Sequence, residues 1–276
     1  MSDKVDFELV VLRGGARSIK SLAHGETMHV GTDPVTEAAQ LHVAQQGISQ
    51  RAVVSPDPFV VWDVGLGPAA NAIAVLEVLG GRGLSAELHS FEISTEVLEF
   101  ALLHASALGY LNGREQLVRE LLDAGECRPE PGLLWKLHRG DFSKGPGSAP
   151  APSAVMFDPY SPARNPEMWN LGTFSSLHGA ADPGGCTLTS YTRSTSARVT
   201  MLLAGWYVGA GVATGQKEET TVAVTRPELL ERPLGPAWLS RVRSSANSMP
   251  MRGRIPVRGP ISTEDYALLE SHPQFT

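Results

Sequence analysis

From Phe59 onward the chain alternates short apolar runs with longer segments whose apolar residues recur every three or four positions. Phe59-Val60-Val61-Trp62-Asp63-Val64 is compact and β-branched, as a strand buried on both faces requires. A glycine-rich turn follows, and then a helix predicted over Ala69 to Leu79. Ala86 to Glu92 reads as the next strand, with Ser94 capping a helix from Thr95 to about Leu108. Arg114 to Ala124 is amphipathic, and Leu133 to His138 forms a third strand. After a Pro/Gly/Ser/Ala loop from Lys144 to Pro152, Ala154 to Asp158 and Cys186 to Tyr191 give a fourth and a fifth, with Arg198 to Ala204 in the helix that follows. Trp206 to Val212 and Glu219 to Val224 stand close enough to pair as an antiparallel hairpin. The pattern predicts an α/β fold, a Rossmann-like doubly wound sheet closed by an antiparallel C-terminal hairpin.

The segment before this alternation reads differently. Phe7 to Leu12 and Ser18 to Leu22 look like strands joined by the turn Arg13 to Arg17, and Asp33-Pro34 opens a helix to about Gln46, with Gly47 as its C-terminal cap. Residues 226–276 are rich in proline, serine and arginine and poor in regular pattern. Three parts are expected: a small β/α extension at 1–58, the sheet domain at 59–225, and an Arg/Pro-rich tail at 226–276.

Charge and cysteine content narrow the possibilities. A net charge of -6 gives no global signal for nucleic acid. The tail alone is basic, with Arg241, Arg243, Arg252, Arg254 and Arg258 and no acid between the first and the last. Two cysteines, Cys127 and Cys186, lack metal-type spacing and a disulfide framework, so a cytoplasmic setting is expected. The start, Met1 to Asp6, lacks the basic flank and apolar run of a signal peptide, and no stretch approaches the ~20 apolar residues of a membrane span. His24 and His29 flank Gly25 to Met28 without an evident third ligand, so no metal site is expected.

The chemistry-bearing residues fall at strand ends. Asp63-Val64-Gly65-Leu66-Gly67 joins a strand to a helix, where glycines let the backbone approach a ligand and the helix N-terminus adds a favourable dipole. A lone Gly-x-Gly also occurs in an ordinary tight βα turn. Glu92 ends the second strand, placed to accept hydrogen bonds from ribose hydroxyls. Asp141, after the third, can accept from an adenine amino group while Phe142 lies against the ring. Three acids at successive strand ends converge on one crevice, as S-adenosylmethionine binding demands. Asp158 ends the fourth strand, where a carboxylate can hold an attacking amine and take up its proton. Tyr191 and Thr192, at the end of the fifth, either line a substrate pocket or pack.

Several segments together resemble the methyltransferase domain of the tRNA 5-methylaminomethyl-2-thiouridine biosynthesis protein MnmC. Phe157-Asp158-Pro159-Tyr160-Ser161-Pro162-Ala163-Arg164-Asn165-Pro166-Glu167-Met168-Trp169 is similar to that family's Asp-Gly-Phe-x-Pro-x-x-Asn-Pro-x-x-Trp signature. Gly65-Leu66-Gly67 with Asn71, Thr189 to Thr192, Ala204-Gly205-Trp206, Gly215-Gln216-Lys217-Glu218, Gly25 to His29 and Glu37 add to the likeness, which spans roughly His24 to Val224. The resemblance implies a class I, S-adenosylmethionine-dependent methyltransferase acting on the aminomethyl nitrogen of a wobble uridine in tRNA. Asp158 is then the catalytic carboxylate. The cofactor set is Asp63, Gly65, Gly67, Asn71, Glu92, Asp141 and Phe142, and the substrate set is Tyr160, Asn165, Trp169, Tyr191 and Lys217. The tail arginines are candidates for tRNA phosphates, and a separate enzyme is expected to supply the aminomethyl-uridine.

Two departures stand out. The family's Gly-x-Gly-Thr-Gly-x-Asn reads Gly65-Leu66-Gly67-Pro68-Ala69-Ala70-Asn71, where Pro68 removes a backbone donor and Ala69 calls for ordinary backbone angles. Pro159 replaces the glycine after Asp158 and stiffens the substrate loop. Two other readings therefore stay open: a small-molecule N- or O-methyltransferase, and a non-catalytic cofactor-fold binding protein.

Overall fold

A computed structural model describes residues 6–31, 33–214, 218–255 and 258–276. Eight strands form the main sheet: β4 (Phe59–Val64), β5 (Ala86–Glu92), β6 (Glu126–Glu130), β7 (Leu133–Arg139), β8 (Ala154–Phe157), β9 (Thr187–Ser190), β10 (Tyr207–Ala210) and β11 (Thr221–Val224). Their spatial order is β10-β11-β9-β8-β4-β5-β7-β6. The five strands from β9 to β7 are parallel, while β11 runs antiparallel to both its neighbours and β6 antiparallel to β7. From β4 the chain winds first toward β7 and then back through β8 to β9. The reversal lies between β4 and β8, where a doubly wound sheet opens a crevice beyond the strand ends.

Strand β4 shows why the sheet is buried on both sides. Its six residues are all buried, with Phe59 and Val61 entering the core on one face and Val60, Trp62 and Val64 the core on the other. On the first face lie α3 (Ala70–Leu79), α4 (Glu96–Leu103), α5 (Ala105–Leu108) and α6 (Glu115–Ala124); on the second lie α7 (Leu171–Ala180) and α8 (Thr195–Leu203).

The N-terminal extension contains a second, three-stranded sheet, β1 (Phe7–Val11), β2 (Arg17–Ser21) and the short β3 (Glu26–Thr27). Asp33 caps α1 (Pro34–Ala38) as expected, its Oδ2 accepting the Thr36 N–H at 2.8 Å. The helix expected to run to Gln46 instead widens into a π-helical stretch, Ala39–Ala44. Gly47, at φ +59°, then starts α2 (Ile48–Val54), which the sequence pattern did not reveal. The predicted 95–108 helix likewise breaks at His104, and Ser94 serves its N-terminus by accepting the Glu96 N–H at 3.3 Å.

Four other elements were missed for physical reasons. β6 carries Pro129 and a register shift, tolerable because it is an edge strand. Helix α7 contains Gly172 and Gly179 and several hydroxyl residues, a poor intrinsic former. It is held by the Asn170 cap and by burial of Phe174 and Leu177. The tail, expected to be irregular, holds α9 (Pro236–Ser244) and α10 (Thr263–Glu270). Trp238, Leu239, Val242 and Leu269 join the second core. The Gln274 side chain brackets Val208 of β10, accepting its N–H and donating to its carbonyl. Among the described residues, no helix is long and apolar enough to cross a membrane.

Because α9 is core rather than appendage, Trp238→Ala is expected to destabilise the protein by about 3 kcal/mol. Urea unfolding measures this; an unshifted midpoint would show that the tail lies outside the cooperative unit.

Candidate active site

The turn after β4 is shaped by a backbone contact. Gly65 adopts φ +90°, and a Cβ there would lie 2.9 Å from the Asp158 carbonyl oxygen and 3.0 Å from the Pro159 nitrogen. The loop therefore lies against the chain leaving β8, at the sheet's switch point. Gly67 is also left-handed, at φ +51°. Ala69 corrects the sequence expectation: it sits at φ +68°, ψ 16°, a left-handed residue heading α3 where ordinary angles were anticipated. Its methyl group is fully buried, so packing offsets a conformation that alanine disfavours.

Each expected acid is held by a different device. Glu92 Oε2 accepts the Gly67 N–H at 2.9 Å and Oε1 accepts those of Ile93 and Ser94 at 2.9 and 3.3 Å. Burial pushes its pKa up, and these three donors oppose the rise. Asp141 Oδ1 accepts both the backbone N–H and the hydroxyl of Ser143, which hold its pKa below the usual value. Asp158 Oδ2 accepts from Asn71 Nδ2 at 2.9 Å, so the first turn of α3 positions the carboxylate at the end of β8. Phe142 meets Phe91 edge-on, with ring centroids 4.9 Å apart.

The N-terminal extension forms the opposite wall. Glu26 accepts from the Ser161 N–H at 3.0 Å and from the Ser161 hydroxyl, tying β3 to the loop after β8. The His24 ring stacks on Tyr160, with centroids 3.9 Å apart and planes within 12°. The result is one cavity of about 590 Å³. Glu92, Asp141 and Asp158 all line it, as do Gly65, Gly67, Asn71, Phe142, Tyr160, Asn165 and Tyr191.

Two candidates stand behind the wall instead. Asp63 is fully buried and does not line the cavity. It accepts from the Ser90 hydroxyl at 2.9 Å, and Ser90 in turn accepts from Trp135 Nε1. Burial raises the Asp63 pKa to about 7, against the Ser90 donation, and the nearby Asp158 and Glu92 add to the rise. Trp169, offered as a substrate contact, is also fully buried and absent from the wall. Its Nε1 donates to the Tyr160 carbonyl at 2.8 Å, so it braces the loop that bears Tyr160. Its large ring has a core to fill, and the sequence spacing could not show on which side. Lys217 lies outside the described residues.

Sequence reading did not assign cavity roles to His24, Glu26, Met28, His29, Glu37, His42 and Arg164, all of which line it. The cluster Gly25 to His29 was a usable signal, since Glu26, Thr27 and His29 bring three polar side chains together in a short span of chain. His42, alone in an apolar helix, gave none. Among the described residues no three His, Cys, Asp or Glu are arranged to hold a metal ion. The basic tail is partly neutralised within itself: Arg252 pairs with Asp265 at 2.6 Å, and Arg243 lies over the Tyr266 ring.

Comparison with known proteins gives this geometry a context. The family described as S-adenosyl-L-methionine-dependent methyltransferase matches residues 135–226, from β7 through β11. The bifunctional tRNA 5-methylaminomethyl-2-thiouridine biosynthesis protein MnmC of Ralstonia nicotianae is 38% identical over 73 residues, 26% of this chain and 11% of that protein. The matched stretch is thus about a tenth of that relative's length. In overall fold the chain is similar to MnmC2 from Aquifex aeolicus, with a TM-score of 0.72 at 21% identity, covering 98% of this chain and 84% of the other. A probable spermidine synthase from Corynebacterium glutamicum aligns at a TM-score of 0.50 and 12% identity, covering 96% and 91%.

The Asp63 environment makes a pH-dependent prediction. With a folded pKa near 7 and an unfolded one near 3.9, the native state holds the proton longer, so this group's contribution to stability declines from about pH 4 to pH 7 and then levels off. Asp63→Asn removes that decline. The variant's stability relative to wild type is expected to improve between pH 5 and pH 8 in urea unfolding. A pH-independent difference would mean that Asp63 is ionised throughout.

Proposed function

We propose that this S-adenosylmethionine-dependent, MnmC-like methyltransferase transfers its methyl group to an amine nitrogen, and that the amine is the aminomethyl arm of a modified wobble uridine in tRNA. The observation that carries the amine reading is the charge of the cavity wall. Among the described residues, Asp6, Glu26, Glu37, Glu92, Glu96, Asp141, Asp158 and Glu167 line it, against Arg164 as the sole lysine or arginine. Such a wall attracts cations and repels phosphate. It suits a sulfonium cofactor, and it suits an amine that arrives protonated.

The residues present fit the cofactor. The Gly65–Gly67 turn offers close backbone approach. Glu92 retains acceptor capacity for ribose hydroxyls, and Asp141 with Phe142 frames a site for adenine. When bound, the cofactor supplies an electrophilic methyl group, and no metal is required for the displacement. The protein's part is alignment and proton handling. Asn71 orients the Asp158 carboxylate, which accepts from the incoming amine and takes its proton as nitrogen offers its electron pair. Tyr160, stacked between His24 and the cavity, and Tyr191 supply flat surfaces for an acceptor that is itself a ring. Asn165 contributes a buried side-chain oxygen that has no hydrogen-bond partner among the described residues, an acceptor suited to an N–H of the same molecule.

The tRNA reading is supported by the sequence likeness to MnmC and by the fold shared with MnmC2. A wobble base reaches such a crevice only when splayed from its stack. Arg241, Arg254 and Arg258 are exposed and available to phosphates outside the acidic cavity. Another enzyme would supply the aminomethyl-uridine, and two unpaired buried cysteines agree with a cytoplasmic setting. A small amine is the second reading, favoured by the N-terminal wall over the crevice and by the internal engagement of Arg243 and Arg252.

Labelled S-adenosylmethionine incubated with tRNA bearing aminomethyl-uridine, and separately with small amines, separates the two. Label is expected in the tRNA nucleoside; label only in a small amine decides for the second reading. Asp158→Ala is expected to lower methyl transfer at least about 100-fold while calorimetric affinity for S-adenosylhomocysteine stays within about threefold of wild type. Gly65→Ala should do the converse damage first. Its methyl group would push the turn from Asp158, and cofactor affinity is expected to fall about tenfold or more in the same calorimetry.

A further inference from the structure

The cavity divides by strand. Glu92, Asp141 and Phe142 stand at the ends of β5 and β7, on the cofactor side. Asp158 and Tyr191 follow β8 and β9, and the N-terminal extension covers that side. The π-helical stretch Ala39–Ala44 packs against β9 and α3 and places His42 on this second half of the wall.

His42 is 1% exposed, and a chain of hydrogen bonds favours one tautomer of its ring. The Gln46 side-chain nitrogen reaches both the Val155 carbonyl, at 3.2 Å, and Thr189 Oγ1, at 2.6 Å. A flipped amide would set oxygen against the Val155 carbonyl, so both Gln46 hydrogens are spent here. Thr189 Oγ1 thus accepts from Gln46, and His42 Nδ1, 2.8 Å away, is an acceptor within reach of its own hydrogen. With Nδ1 accepting, the neutral ring carries its proton on Nε2. The ring stays neutral because burial, helped by His29 nearby, lowers its pKa to about 3. Nε2 is buried and, among the described residues, has no hydrogen-bond partner. A donor in that position costs free energy until an acceptor arrives.

We propose that His42 is a substrate-contacting donor whose Nε2–H meets a carbonyl-type oxygen on the methyl-accepting molecule, as a pyrimidine ring presents beside an arm at its neighbouring carbon. This rests on the reading of the cavity as a cofactor half and an acceptor half. It gives the acceptor two anchors, an amine at Asp158 and a carbonyl oxygen at His42, which together set its orientation toward the methyl group. Simple aliphatic amines would satisfy only the first.

Two measurements test it. In ¹⁵N-histidine-labelled protein, the imidazole spectrum is expected to show His42 as the neutral Nε2–H tautomer down to pH 5, and S-adenosylhomocysteine is expected to leave that tautomer in place. An Nδ1–H tautomer, or a protonated ring at pH 6, overturns the proposal whatever the substrate proves to be. Second, an anticodon stem–loop bearing 5-aminomethyl-2-thiouridine serves as acceptor. His42→Phe is expected to lower kcat/KM for it about tenfold, His42→Gln to recover most of the loss by presenting an amide donor near the Nε2 position, and both to bind S-adenosylhomocysteine as wild type does. Equal kcat/KM for His42→Phe and wild type, or a loss matched by weaker S-adenosylhomocysteine binding, also overturns it. Failure of the wild type to methylate this RNA sinks the tRNA reading, and the imidazole spectrum then decides on His42 by itself.

Discussion

The active-site geometry depends on two backbone segments lying closer together than a side chain permits. The turn after β4 and the chain leaving β8 meet at Gly65, with Asp158 and Pro159 on the other side of the contact. Everything placed in the cavity is referred to that junction. Asn71, in the first turn of α3, reaches Asp158 because the turn delivers the helix there, and Glu92 receives the Gly67 N–H because the same turn bends toward β5. A parallel sheet that reverses its winding supplies the crevice. The glycine supplies the contact that closes its floor.

Around that floor, carboxylates are kept apart by different physical means. Glu92 is buried but surrounded by backbone donors, Asp141 is nearer solvent and held by a serine, and Asp63 is sealed inside the sheet with a raised pKa. Like charges at one site repel, and concentrating them in a single cavity is stabilised only when donors or protons offset the repulsion. The arrangement makes sense for a chamber that is most comfortable when positively charged molecules occupy it.

Much of this was legible in the sequence. Buried parallel strands declare themselves through unbroken apolar, β-branched runs, and β4, β5, β7, β8 and β9 were placed within a few residues. The convergence of Glu92, Asp141 and Asp158 followed from their position at strand ends alone. What escaped was whatever tertiary packing decides against local preference. Ala69 takes a left-handed conformation that its residue type argues against, α7 forms despite two glycines, and a proline- and arginine-rich tail folds onto the second core. Trp169 and Asp63 lie one layer behind the positions the motif suggested, since a motif shows proximity to a site and not the direction a side chain takes. The wall made by the N-terminal extension was hidden because Glu26 meets Ser161, 135 positions further along the chain.

The widened helix at Ala39–Ala44 has an implication of its own. An i→i+5 ladder is an α-helix carrying one residue in excess, a rare form found mostly as a single wide turn and often at functional sites. Deleting a single residue from that span would let the ladder relax to regular spacing while the flanking turns keep their facing, because the wide turn is what absorbs the extra residue. A one-residue deletion in this short stretch would therefore withdraw the wide turn that carries His42 and leave the rest of the chamber wall in place.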